Sequence, residues 1–206
     1  ALKNWLNRLP PRIMSKIKGY AIDMHKGYAN TVKETLGGKP LHTVDPAHLV
    51  FLGNQITDQV RQMNDWMIKM GYFEKDREID LSTRYGLKRG RRKNKKSVNR
   101  EKSIKTSKNN QIEPMEHRTL FLWAEERFTE KQKTRINQLF RDCDPAGYVF
   151  EAWSNKELIR EALQSKDIKL IDKVILDSNK SEHYLLQGLS RTLKSWYEGI
   201  KNYMYL

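Results

Sequence analysis

Two aspartates hold the same place in two short apolar runs. Ile17-Lys18-Gly19-Tyr20-Ala21-Ile22 leads into Asp23, and Leu41-His42-Thr43-Val44 leads into Asp45. In open α/β sheets, sites form just beyond the carboxyl ends of the strands. Two carboxylates on neighbouring strands would face one rim. Clustered carboxylates there hold divalent cations, which align a nucleophile with a phosphodiester and stabilise the leaving oxygen. The plainer alternative is that each aspartate caps the helix that follows it, and Asp-Pro at 45 and 46 is a common helix start. His48 would sit one turn into that helix. It could touch a metal site or a substrate phosphate, or serve only the structure. His25, close to Asp23, poses the same choice. His42, His117 and His183 share no metal-ligand spacing. No Gly-rich phosphate loop, nucleophile elbow or zinc motif is present.

The second chemical signal is charge. Between Arg84 and Lys108 stand twelve basic residues against one acid, Glu101. Lys88, Arg89, Arg91, Arg92, Lys93, Lys95 and Lys96 are the densest part and the candidate DNA-contacting residues, because backbone phosphates reward dense Lys and Arg without demanding sequence. The alternative is a basic, solvated loop. Apolar side chains are few, with Leu87, Val98 and Ile104 isolated, so the segment cannot offset its chain entropy by burial and disorder is predicted for it in the free protein. Trp66, Tyr72, Phe73 and Tyr85 flank the run but are too scattered for a base-stacking platform.

The elements that must position these residues can be read from pattern. Leu2 to Leu9 reads as a short amphipathic helix stopped by Pro10 and Pro11. Strand, helix (Gly27 to Leu36, closed by Gly37-Gly38) and strand follow within a short stretch, which makes a βαβ unit with parallel strands. Pro46 opens a long helix whose Leu49, Leu52, Ile56, Val60, Met63, Met67 and Met70 recur at three- and four-residue steps, a core stripe. From Met115 the chain reads as helical to its end. Thr129 and Gln132 form a capping box. Asp144-Pro145 starts a helix toward Gln164, and Asp167 to Asp177 is another. Leu186, Leu189, Leu193, Trp196, Ile200 and Tyr203 form one last heptad-like seam, too short for a coiled coil and expected to pack on the domain.

The chain has 206 residues, with 39 Lys and Arg against 25 Asp and Glu, a net charge of +14 and 38% hydrophobic residues. That suits one domain, or a core with one large insertion, and an anionic partner, nucleic acid before a membrane surface. The single cysteine, Cys143, builds neither a disulfide nor a thiolate metal site alone and fits a reducing compartment. No apolar run approaches the roughly 18 residues that span a bilayer. No signal peptide is visible, although Ala1 is not a natural start, which leaves an upstream leader open.

Several segments in order resemble the DDE transposases of the bacterial insertion-sequence group ISL3. They are Tyr20-Ala21-Ile22-Asp23-Met24 with Gly27-Tyr28, then Val44-Asp45-Pro46-Ala47-His48-Leu49-Val50 and Leu52-Gly53-Asn54-Gln55. Trp153-Ser154-Asn155-Lys156-Glu157 with Arg160-Glu161 is similar to that family's helical insert. Gly188 through Trp196 is similar to the helix before its last catalytic segment.

The resemblance implies an α/β fold: a partial RNase H-like core of short parallel strands with a crossover helix, carrying a large, mostly helical insertion. Residues 1–65 would be the core, 66–180 the insertion with its basic stretch at 84–108, and 181–206 a C-terminal helix returning to the core. It implies Mg2+ or Mn2+ held by two aspartates and a glutamate, strand cleavage by water and strand transfer by a DNA 3′-hydroxyl. By position Asp23 matches the second aspartate, a catalytic metal ligand. Asp45 and His48 match a motif near the site. The partners implied are transposon-end and target DNA, without a membrane, in the bacterial cytoplasm, and a homo-oligomer of the intact enzyme is left open. The first aspartate is expected upstream of Ala1, and the glutamate, in an Asn-Gly-x-x-Glu segment, beyond Leu206. The chain is therefore expected to be a fragment, inactive alone. The rival expectation is a non-catalytic basic DNA-binding protein. An RNA-binding accessory protein has no module signature here.

Overall fold

The computed structural model describes residues 2–38, 40–73, 115 and 117–206. Two short helices lead in, α1 (Leu2–Leu6) and α2 (Pro11–Met14). The helix expected through Leu9 is thus shorter, and Pro11 opens a second one instead of only ending the first. Proline lacks the N–H that a first helical turn leaves unbonded anyway, and its fixed φ already suits a helix.

Strand β1 (Gly19–Ile22), helix α3 (Lys26–Leu36) and strand β2 (Leu41–Val44) follow. The strands pair in parallel, with Tyr20 opposite His42 and Ile22 opposite Val44. Gly37, at φ 68°, closes α3 in the left-handed region, which glycine enters without a Cβ clash. The described residues thus form a mixed α/β structure, mostly helical, with two parallel strands.

Helix α4 (Pro46–Lys69) is the spine. Leu49, Ile56, Val60 and Met67 are buried as the stripe predicts, each contributing roughly 1.5–3 kcal/mol. Met63 is only half-buried, however, and Met70 is exposed. The inward face also carries Asp58, Arg61 and Asn64. They are tolerable there because each is bonded. Arg61 pairs with Asp58 and Asp65 and donates to the Met115 carbonyl at 2.8 Å, while Asp65 accepts from the Met115 N–H at 2.6 Å. Arg118 adds an ion pair to Asp58, and Asn64 donates to the Cys143 carbonyl. Met115, fully buried, is thereby clamped to the far half of α4.

Beyond it come α5 (Arg118–Leu122), a 3-10 turn (Glu125–Arg127), α6 (Glu130–Cys143), α7 (Tyr148–Ser165), α8 (Ile168–Lys180), α9 (Tyr184–Ser195) and α10 (Tyr197–Met204). The Thr129–Gln132 capping box is present as read, and the helix expected from Asp167 to Asp177 is α8, which Asp167 caps and which runs on to Lys180. Two boundaries differ. Helix α7 begins at Tyr148, after Gly147 turns the chain at φ 73°, and Asp144 reaches forward to accept the Phe150 N–H at 2.8 Å. The final helix is two helices that change direction at Trp196 (φ −113°, ψ 9°). Its seam is buried from Leu186 to Ile200, but the break lets α10 run onto β2. There Asn202 donates to the His42 carbonyl at 2.8 Å. Gly199 permits the approach, because a Cβ at that position would lie 2.9 Å from Val44 Cγ2.

Helices α4 and α7 meet closely where Gly53 faces Lys156 and Thr57 donates to the Ala152 carbonyl. Lys156 is fully buried. Its ammonium donates to the Phe121 and Trp123 carbonyls at 2.9 and 2.7 Å and pairs with Glu157. The Trp153-to-Glu157 motif is therefore an inward-facing staple between α7 and the α5 turn. Burial pushes the Lys156 pKa down, against the opposing pull of Glu157.

Candidate metal centre

Parallel pairing of Ile22 with Val44 puts the next residue of each strand, Asp23 and Asp45, on one rim. The ladder runs one step further, since the Asp45 N–H donates to the Ile22 carbonyl at 3.0 Å. Helix α4 then starts at once, because Pro46 is its first residue and Asp45 its cap. The helix turn brings His48 back over the strand ends. Its Nδ1 lies 3.2 Å from Asp23 Oδ1 and 3.1 Å from Asp45 Oδ2.

The two aspartates differ in what else they do. Asp45 Oδ1 accepts the Ala47 N–H at 2.9 Å, so this carboxylate is both a helix cap and a face of the cluster. Asp23 caps nothing: the N-cap of α3 is His25, which makes no side-chain cap bond. The side chain of Asp23 is 53% exposed, those of Asp45 and His48 39% each. One oxygen from each aspartate and one nitrogen from His48 all lie within 4.8 Å of one another. Two carboxylates this close repel unless a positive group stands between them. A proton on His48 Nδ1 can serve one oxygen well and the other only by sharing. The two carboxylate oxygens, reachable from solvent, suit a hard divalent ion such as Mg2+ or Mn2+, and the His48 nitrogen is a ligand that Mn2+ accepts more readily than Mg2+. The residues present therefore fit such an ion.

A family model described as a transposase, of the ISL3 DDE type, matches residues 1–205. The chain belongs to the ISL3 DDE transposase family. Searches of curated proteins and of solved structures found no match.

In this ISL3-family transposase chain, the residues singled out from sequence are distributed unevenly. Asp23, Asp45 and His48 come together. His25 turns away to lie against Tyr28, ring centroids 4.6 Å apart. Lys88, Arg89, Arg91, Arg92, Lys93, Lys95 and Lys96 lie outside the described residues. No described helix is long and apolar enough to cross a membrane. A cleft of about 600 Å³ between the start of α3 and the α9–α10 junction has no counterpart among the residues singled out from sequence. Lys26, Asn30, His42, Lys194 and Trp196 are among its lining residues. Its parts come from three distant stretches, and none carries a motif that could have signalled it.

Proposed function

We propose that this transposase chain carries part of a metal-dependent DNA strand cleavage and transfer centre, with Asp23 as a catalytic metal ligand and Asp45 and His48 beside it. The observation that carries the reading is the meeting of these three side chains, above all an exposed Asp23 carboxylate that caps no helix and faces only His48 among the described residues. A bound divalent cation, Mg2+ or Mn2+, would polarise the phosphodiester and favour the ionised form of an attacking water or 3′-hydroxyl. Asp23 offers its carboxylate to that ion from the end of β1. Asp45 is held by its cap bond to Ala47, which fixes the direction of Oδ2. His48, anchored in the first turn of α4, keeps both oxygens turned inward.

In this reading β1, α3 and β2 belong to an RNase H-like core formed by residues 1–65. Residues 66–180 are the helical insertion and 181–206 return to the core, as the seating of α10 on β2 suggests. The basic residues from Lys88 to Lys96 hold DNA without regard to sequence. Asp23 is one of the three acids that the family resemblance implies.

The test has two arms. Mn2+ titration of the chain, read by electron paramagnetic resonance, should detect a bound ion that Asp23→Asn weakens at least about tenfold, the usual scale for altering a metal shell. In a relative that cleaves DNA, the matching substitution should abolish cleavage and leave DNA affinity nearly unchanged. Mn2+ binding unaffected by Asp23→Asn, or equal loss of cleavage and DNA binding, would make Asp23 structural and overturn the assignment.

A further inference from the structure

We propose that the cleft between α3 and the α9–α10 junction seats one unpaired nucleotide of the DNA strand that crosses the carboxylate rim; this assignment rests on the strand-transfer reading above. The cleft's chemistry is that of a nucleotide site. Two ammonium groups, Lys26 from α3 and Lys194 from α9, stand on its walls with Asn30 and Ser195, against a single carboxylate, Glu198. Lys194 is not a free tether, since its Nζ donates to Asn179 Oδ1 at 3.2 Å. The floor is aromatic. His42 stacks on Tyr20, centroids 5.2 Å apart, and meets Trp196 edge-on at 5.8 Å. The His42 Nε2 is buried without a hydrogen-bond partner. Burial lowers the His42 pKa, which keeps the floor neutral and leaves the positive charge to the lysines. Phosphate at the ammonium groups and base over the ring floor is how strands are held without sequence preference. A cavity of about 600 Å³ lies well within the range of small-molecule sites.

Position favours a nucleotide of a strand over a free one. Lys26 is three residues past Asp23, and His42 three before Asp45. Chain geometry limits each separation to at most about 11 Å between Cα atoms. A strand with its phosphodiester at Asp23 and Asp45 therefore has a neighbouring nucleotide within reach of the cleft. Taking a base out of the stack costs least where the strand is already unpaired.

The test uses the full chain in EDTA, so that no divalent cation contributes. Binding of a labelled duplex with a short single-stranded gap is compared with the fully paired duplex of equal length. The gapped-to-paired ratio cancels the contribution of the basic segment. The wild-type chain should prefer the gapped duplex by about fivefold to a hundredfold, the scale of one stacked base. Lys26→Ala/Lys194→Ala, and separately Asn30→Trp, which fills the cleft from an exposed position, should bring the ratio near one with melting temperature kept. Mn2+ binding, which EDTA excludes here, tests the metal reading separately, so failure of that reading and failure of this one are distinguishable. No preference in the wild type, or a preference that survives both cleft variants, would overturn the proposal. So would competition by deoxyadenosine monophosphate as strong as that by a pentathymidylate, which would assign the cleft to a free nucleotide.

Discussion

Replacing Lys156 by methionine keeps the unbranched stem that packs beside Gly53 and removes only the ammonium. That group is fully buried and bonds two main-chain carbonyls, those of Phe121 and Trp123. Each carbonyl left without a donor costs about 1–3 kcal/mol. Glu157 also loses its nearest positive neighbour, although the Glu125 N–H at 3.3 Å and the Arg160 Nε at 3.6 Å still face it. Against these losses stands the relief of a buried charge, whose cost is evident in the lowered Lys156 pKa. Breaking one side of a buried pair costs about 3–5 kcal/mol in general, and the remaining partners of Glu157 place this case near 3. For a chain of this size that lowers the melting temperature by about 6–12 °C. Urea denaturation followed by far-ultraviolet circular dichroism is the assay. A loss below about 1 kcal/mol would refute the view that Lys156 staples the α5 turn to α7.

Three further outcomes follow from the same structure. Gly199→Ala should destabilise by about 1–3 kcal/mol, because the new methyl would push α10 off Val44 and His42; urea titration checks it, and a neutral result would mean that α10 is not seated on β2 as described. Burial lowers the His183 pKa, so the fold favours its neutral form: its stability contribution is complete above about pH 6.5, the ordinary histidine value, and is lost as pH falls toward the folded value. Asp144 and Glu151, raised by burial, act in the opposite sense, so the readout is a comparison: His183→Asn should flatten the fall in melting temperature from pH 7 to 5, and parallel curves for variant and wild type would discount His183. Deleting residues 84–108 should weaken binding to unrelated duplexes alike and reduce the slope of log affinity against log salt, because fewer counterions are released; an unchanged slope would place the DNA contacts elsewhere.

The βαβ unit was legible because three independent signals agreed: two apolar runs, a glycine-closed helix and a length too short for anything but a crossover. The choice posed for each aspartate was not legible, and the answer is split. Asp45 is a cap and a member of the cluster together, since its two oxygens serve different partners, whereas Asp23 is no cap. His48 could be placed over the strand ends only once the helix start was known to fall at Pro46. Hydrophobic spacing failed where polar residues face inward. Arg61 and Asp58 look like surface positions until their partners at Met115 and Arg118, distant in sequence, are seen. The break at Trp196 left no trace because its 3-4 spacing continues across it and no Pro or Gly marks it; the pull of α10 onto β2 is a tertiary effect. Gly147, which turns the chain at φ 73°, delays to Tyr148 the helix start that Asp144-Pro145 signals.

The clamp on Met115 has an evolutionary consequence. Arg61 and Asp65 hold the returning chain by its own backbone, and both belong to the helix from which the chain departed. The register of everything downstream is thus set by an address on α4 and not by the number of residues spent between departure and return. Insertions or deletions between Phe73 and Met115 that keep this clamp would therefore leave the carboxylate rim and the helices behind it in place.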